Sequence, residues 1–377
     1  VKKIIGVLLT VSCLISCTKK ADSEANEILI GKYDSFSGND AAFGAASNKG
    51  LQMAVDEVNA AGGIKGKKVR VITLDDQSKA EEAAAVTTRL ITQNHVVAIL
   101  GGMASGRSKA AAPIAQANKI PFVSHASTNP EVTKIGNYVF RICFIDPFQG
   151  AVAAQFASDN LKVKKAAILR DVKNDYSVGL ADVFIQEFKK KGGEITTDVS
   201  YMSGDVDFKA QLTQIRSGNP DLIFIPGYYT EVGLIAKQAR QLGVKSTLMG
   251  GDGWDSDRLY QIGKEAIDGG YYVHHYSTES TEPHVVAFVQ KFRKLYNNET
   301  PEVLSALNYD AAKVLFAAIE KAPDLSGEAI RKELAKTADF EGVTGKITIK
   351  ESRDAVKSAV IVQVNKDKLK YITTINP

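Results

Sequence analysis

The chain has 377 residues, 44% hydrophobic and 24% charged, a globular composition long enough for two lobes of ordinary size. Its formal charge of +4 is small for that length, and no basic run is interleaved with aromatics, which argues against a nucleic-acid partner. Five histidines and three cysteines show no metal-ligand spacing. The adjacent pair His274-His275 points to opposite faces of a strand and reads as solvated or packing, so neither a metal nor a cofactor is expected.

Lys2 and Lys3 precede an apolar run from Ile4 to Ile15, too short to span a bilayer and suited to the hydrophobic region of an export signal. Val1 reads as an alternative start of an unprocessed precursor. The run ends in Leu14-Ile15-Ser16-Cys17 and resembles a bacterial lipobox, with an aliphatic residue three before the cysteine and a small one just before it. The resemblance implies a lipoprotein signal peptide over residues 1–17, with Cys17 the lipidated first residue of the mature protein and its anchor to a membrane. Cys13 fits less well, because Thr10 stands three before it. Residues 18–27 are polar and would form a tether. Exported proteins use disulfides, but only Cys143 would be left unlipidated in the mature body, so none is expected within it.

After the tether, strand and helix alternate. Ile28 to Tyr33 reads as a strand. Phe43 to Ala61 reads as a helix, with Leu51, Ala54, Val55 and Val58 on one face and Gly62-Gly63 ending it. Strands at 69–74, 96–100 and 120–124 are separated by helices at 79–94 and 105–118. The order then repeats: strands at 166–170, 195–201, 222–226 and 247–250, with helices at 177–191, 208–216 and 230–242 between them. Successive βαβ units predict parallel sheets with helices on both faces. Further on, Val285, Phe288, Val289, Phe292 and Leu295 form an apolar stripe expected in the core, and 314–319 belongs to another helix. Strands at 346–349, 358–364 and 369–374 are expected to return and finish both sheets. The fold class is therefore α/β, two doubly wound Rossmann-like lobes joined by a multi-crossover hinge. Residues 28–144 plus 277–349 would form the N-terminal lobe, and 147–275 plus 355–377 the C-terminal lobe.

Ligands of such sheets sit at the carboxyl ends of the strands. In the first lobe these ends carry Gly101, Gly102, Ala104 and Ser105, then Ser124, Ala126, Ser127 and Thr128. Small and hydroxyl residues before a helix suit an anion such as a carboxylate, although the same residues also serve ordinary strand-to-helix turns. The second lobe offers Tyr176, Tyr228, Tyr229 and Asp252, the last set between Gly251 and Gly253. A ligand between the lobes would be a zwitterion, its carboxylate toward the first and its ammonium toward Asp252. Aspartate beside glycine is also common in turns and caps. No catalytic residues are expected. Tyr33-Asp34-Ser35-Phe36-Ser37-Gly38 is not the dinucleotide fingerprint, and Gly102-Met103-Ala104-Ser105-Gly106 is not a nucleophile elbow.

Several stretches together resemble the type I periplasmic binding proteins that serve branched-chain amino acid ABC transporters. They are Ser37-Gly38 to Phe43-Gly44, Val58-Asn59-Ala60-Ala61-Gly62-Gly63-Ile64-Lys65-Gly66, Asp75-Asp76, Ala126-Ser127-Thr128-Asn129-Pro130, Asp175-Tyr176-Ser177-Val178-Gly179, Asp221 to Gly227-Tyr228-Tyr229, and Asn308-Tyr309-Asp310-Ala311. The resemblance implies that Ser105, Ala126 and Thr128 hold the ligand carboxylate. It implies that Asp252, where relatives often carry glutamate, and Tyr228 hold the ammonium, with Tyr176 and Phe43 lining the pocket. A disulfide of some relatives is absent, with Ser78 and Ala104 at its positions. The implied protein is a monomeric, lipid-anchored solute binder on the periplasmic side of the cell envelope that delivers a branched-chain or other neutral amino acid to an ABC permease by hinge closure. A binder of amides or urea, or a ligand sensor of the same fold, is the alternative.

Overall fold

The computed structural model describes residues 26–377, so the signal, the lipobox at Cys17 and most of the tether lie outside the described residues. The first sheet contains β1 (Glu27–Asp34), β2 (Lys68–Asp75), β3 (Ala98–Gly101), β4 (Phe122–Ser124) and β5 (Val139–Arg141) in the spatial order β2-β1-β3-β4-β5. Every pairing in it is parallel. β3 and β4 are covered on both faces, so they read as continuous apolar runs, Ala-Ile-Leu and Phe-Val, and not as alternation.

The second half begins with four parallel-paired strands, β6 (Lys165–Asp171), β7 (Glu194–Tyr201), β8 (Leu222–Phe224) and β9 (Thr247–Gly250), and adds β10 (Tyr271–His274) beside β9. Three short strands follow the next helices: β11 (Phe340–Gly342), β12 (Gly345–Ile349) and β13 (Ala355–Val356). They pair only with one another and form a separate antiparallel sheet. β14 (Ala359–Asn365) and β15 (Lys368–Ile375) then join the second sheet antiparallel, giving the order β15-β14-β10-β9-β8-β6-β7. The returning segment thus finishes one sheet and not both. The Gly342–Gly345 hairpin folds β12 back on β11 and withholds it from the first sheet.

The chain passes between the two halves three times. From β5 it enters helix Asp146–Gln155, which packs on helix Asp175–Lys190 and on β10. From β10 it runs to helices Pro283–Leu295 and Val303–Lys321, the second of which packs on helix Ala41–Ala60, β3 and β4. The third passage joins β13 to β14. The apolar stripe of helix Pro283–Leu295 is buried at Val285, Phe288, Val289 and Phe292, but Leu295 is 50% exposed. It is the last residue of the helix, past the surface that its stripe covers. Among the described residues no helix is long and apolar enough to cross a membrane, and no group of three or more His, Cys, Asp or Glu side chains is placed to hold a metal.

Candidate functional site

In each sheet the strand order reverses beside the first strand: between β1 and β3 in one, between β6 and β8 in the other. The carboxyl ends of the strands flanking each reversal are where ligands of open α/β sheets bind. The first half supplies Ser105 at the start of helix Ser105–Ala117, just after β3, and Ala126 and Thr128 in the loop after β4; all three are buried. Gly102 has φ +77°, and a Cβ there would collide with the Ser108 side chain, so only glycine lets β3 turn into this helix. Ser127 fastens the next loop to it: its hydroxyl donates to Gly102 O, and its N–H donates to Ser124 Oγ at 2.9 Å. Ser105 Oγ accepts the Asn129 N–H at 3.1 Å, which leaves its own proton for a ligand.

The second half supplies Tyr176 from helix Asp175–Lys190, Tyr228 just after β8, and Asp252 just after β9. Tyr176 and Tyr228 stack with centroids 5.5 Å apart, and Tyr176 Oη accepts the Gly253 N–H at 3.2 Å. A Cβ on Gly251 would strike the Gln149 and Tyr176 side chains, so the glycines beside Asp252 are what admit these neighbours. Burial pushes both phenols up, so they stay neutral donors.

The cleft is closed over these residues. Phe43, from helix Ala41–Ala60, meets Tyr228 edge-on at 5.7 Å and Tyr229 at 4.8 Å. Tyr229 Oη and Thr230 Oγ1 both donate to Asn39 O at 2.9 Å, and Tyr229 Oη accepts the Ala42 N–H at 3.3 Å. Asn129 Nδ2 donates to Asp175 O at 3.0 Å, and Lys109 pairs with Asp175 at 3.1 Å. Ser105, Thr128, Tyr176 and Phe43 are therefore almost wholly buried. At the mouth a cavity of about 420 Å³ remains, lined by Asp40, Arg107, Asn174, Tyr228 and Glu231 among others. Arg107 there bridges Asp40 at 2.8 Å and Asp76 at 3.3 Å.

Asp252 has partners of its own within the protein. His275 Nε2 lies 3.0 Å from Asp252 Oδ2, and Gln149 Oε1 accepts the Asp252 N–H at 2.8 Å. His274, the last residue of the interior strand β10, and His275 just after it are both buried, the packing role of the two that the sequence left open. Asp146 nearby is a wholly buried acid, whereas Asp252 is partly buried. Its N–H donates to Thr128 O at 3.0 Å, its Oδ2 has no partner, and burial, reinforced by the charge of Asp252, pushes its carboxyl up to about 8. The Asp146-Pro147 pair that opens helix Asp146–Gln155 was the available signal for Asp146. Nothing local in the sequence marks Gln149 or His275.

The chain matches the family of periplasmic binding proteins over residues 27–368. It is similar to a leucine binding protein from Thermotoga maritima MSB8, whose crystal structure has a TM-score of 0.89, 42% identity and coverage of 93% of this chain and 99% of that one. A branched-chain amino acid transporter substrate binding protein from Streptococcus pneumoniae, in complex with isoleucine, has a TM-score of 0.88 and 37% identity, covering 93% and 100%. A Leu/Ile/Val-binding protein of Rhizobium johnstonii is 31% identical over 331 residues, 87% of this chain and 89% of that one. A family match along most of the sequence, on two parallel-stranded halves with a cleft between their ligand edges, places the chain: it belongs to the type I periplasmic binding proteins.

Proposed function

We propose that this protein captures a neutral amino acid, most simply leucine, isoleucine or valine, between two lobes and hands it to an ABC permease. The observation that carries the reading is the unlike chemistry of the two facing edges. Ser105, Ala126 and Thr128 offer hydroxyl and backbone donors and no charge, which suits a carboxylate. Asp252 with Tyr176 and Tyr228 offers a carboxylate and aromatic walls, which suits an ammonium. Phe43 and Met103, both buried, supply apolar surface for an aliphatic side chain. The names of the relatives above, all binding proteins, support the same ligand class.

In this reading residues 28–144 plus 277–349 move against 147–275 plus 355–377 about the three crossings. Ligand binds one lobe, the other closes, and the closed form docks on the permease. Closure takes Asp252 from water, so an ammonium completes the site. Cys17 carries a lipid anchor, the protein is a monomer on the periplasmic side of the envelope, and no bond is made or broken in the cleft.

A thermal-shift screen against the amino acids, urea and short amides tests this. A ligand at a hundred times its dissociation constant should add about 2.7 kcal/mol to stability. A shift with leucine, isoleucine or valine supports the reading, and a shift confined to amides or urea moves the ligand. No shift with any of them overturns it.

A further inference from the structure

We propose that His275 is a positioning residue for ligand: it donates from Nε2 to Oδ2 of Asp252 and so fixes the carboxylate that receives the ammonium. The inference rests on the amino-acid reading above. Asp252 has a one-carbon stem, and its chain neighbours Gly251 and Gly253 give that stem no wall. Its backbone is held by Gln149, but among the described residues its side chain is held only by His275, at 3.0 Å. A carboxylate only accepts, so Nε2 carries the proton, and one oxygen of Asp252 is left for the ligand.

His275 is itself set rigidly. It stacks on Phe144 with centroids 3.7 Å apart and planes 12° from parallel. Phe144 lies in the first crossing between the halves, and His275 begins the second. The ring is buried, and its Nδ1 has no partner. A second proton would therefore leave a buried N–H unsatisfied. Asp252, Lys357, His274 and His125 are the titratable groups that act on the ring, and burial prevails among them, pushing it down to about 4. A neutral imidazole orients Asp252 without cancelling the charge that the ammonium needs.

The test is a cycle of leucine affinities by calorimetry on the full chain, with the ligand-free melting temperature of each variant as a check of folding. His275→Phe keeps the stack on Phe144 and removes the donor; it should weaken leucine binding about 10- to 100-fold, the range for a hydrogen bond to a charged group. His275→Gln, which restores an N–H at the same reach, should stay within about threefold of the parent. In an Asp252→Asn background, His275→Phe should change affinity less than about threefold, because the charge through which His275 acts is gone. Equal losses in both backgrounds, or no loss in either, would overturn the proposal while leaving the amino-acid reading standing. A parent chain that binds no neutral amino acid, or an Asp252→Asn variant that binds as tightly as the parent, would overturn that reading and this inference with it.

Discussion

The two edges of the cleft are built on different principles. The first-half edge is mostly local: Ser105 bonds Asn129 and Ser127 bonds Gly102, between two consecutive strand-to-helix loops, with Arg141 and Asp146 bracing the second loop from the segment just after it. The second-half edge is assembled. Asp252 depends on Gln149, 103 positions away, and on His275, 23 positions away. Neutral donors recognise an anion with little electrostatic cost. A carboxylate drawn largely out of water must be held and matched, and that takes groups from several segments.

Four substitutions would break or sharpen this contrast. Asp252→Ala should have the largest effect, a loss of about 3–5 kcal/mol of leucine affinity by calorimetry, since it strands a buried ammonium. An unchanged affinity would remove the charge from the second edge. Next is Asp146→Asn, read as stability against pH by denaturant unfolding. The folded-state carboxyl sits near 8, above its ordinary value of 3.8, so its stabilising contribution is complete below about pH 4 and is lost as pH rises through about 8. The asparagine variant should therefore gain on the parent across that window by up to about 1.4 kcal/mol per pH unit. A pH-independent difference between the two would mean that Asp146 is not held protonated.

Ser105→Ala should cost about 1.5–3 kcal/mol of leucine affinity, from a lost bond to the ligand carboxylate and an orphaned Asn129 N–H. If it proves silent, the first edge does not hold the carboxylate through this hydroxyl. Tyr229→Phe should act least, about 0.5–1.5 kcal/mol, and on closure alone, because its hydroxyl bridges the mouth to Asn39 and Ala42 without lying among the proposed ligand contacts. Small-angle scattering of the liganded protein should show a larger open fraction, and an identical scattering curve would deny Tyr229 the role of a latch.

The contrast also explains how far the sequence could be read. The βαβ order of both halves was legible because period, glycine ends and strand composition are local signals, and β3, β4 and β8 carry plain apolar runs. The same local grammar marked Ser105, Ala126 and Thr128. It also marked Asp252 by its glycines, though not its partners. His275 and Gln149 reach Asp252 through tertiary contacts that leave no periodicity behind, and β10 gave no clear alternation because it is interior. Two expectations failed for a related reason. Leu295 keeps the helical stripe in phase but lies beyond the surface the stripe covers. β12 has strand composition, yet composition does not say which strand it will pair with, and it pairs with its neighbour β11 across a tight turn.

The most direct test of the central claim is a calorimetric titration of the full chain with leucine, 4-methylpentanoate, which lacks the ammonium, and 3-methylbutylamine, which lacks the carboxylate. If the two edges hold opposite ends of a zwitterion, leucine binds, and each truncated ligand binds at least about 100-fold more weakly, the loss expected when a buried charged partner is left unmatched. If 4-methylpentanoate binds as tightly as leucine, Asp252 is not an ammonium site and the account of the second edge is wrong.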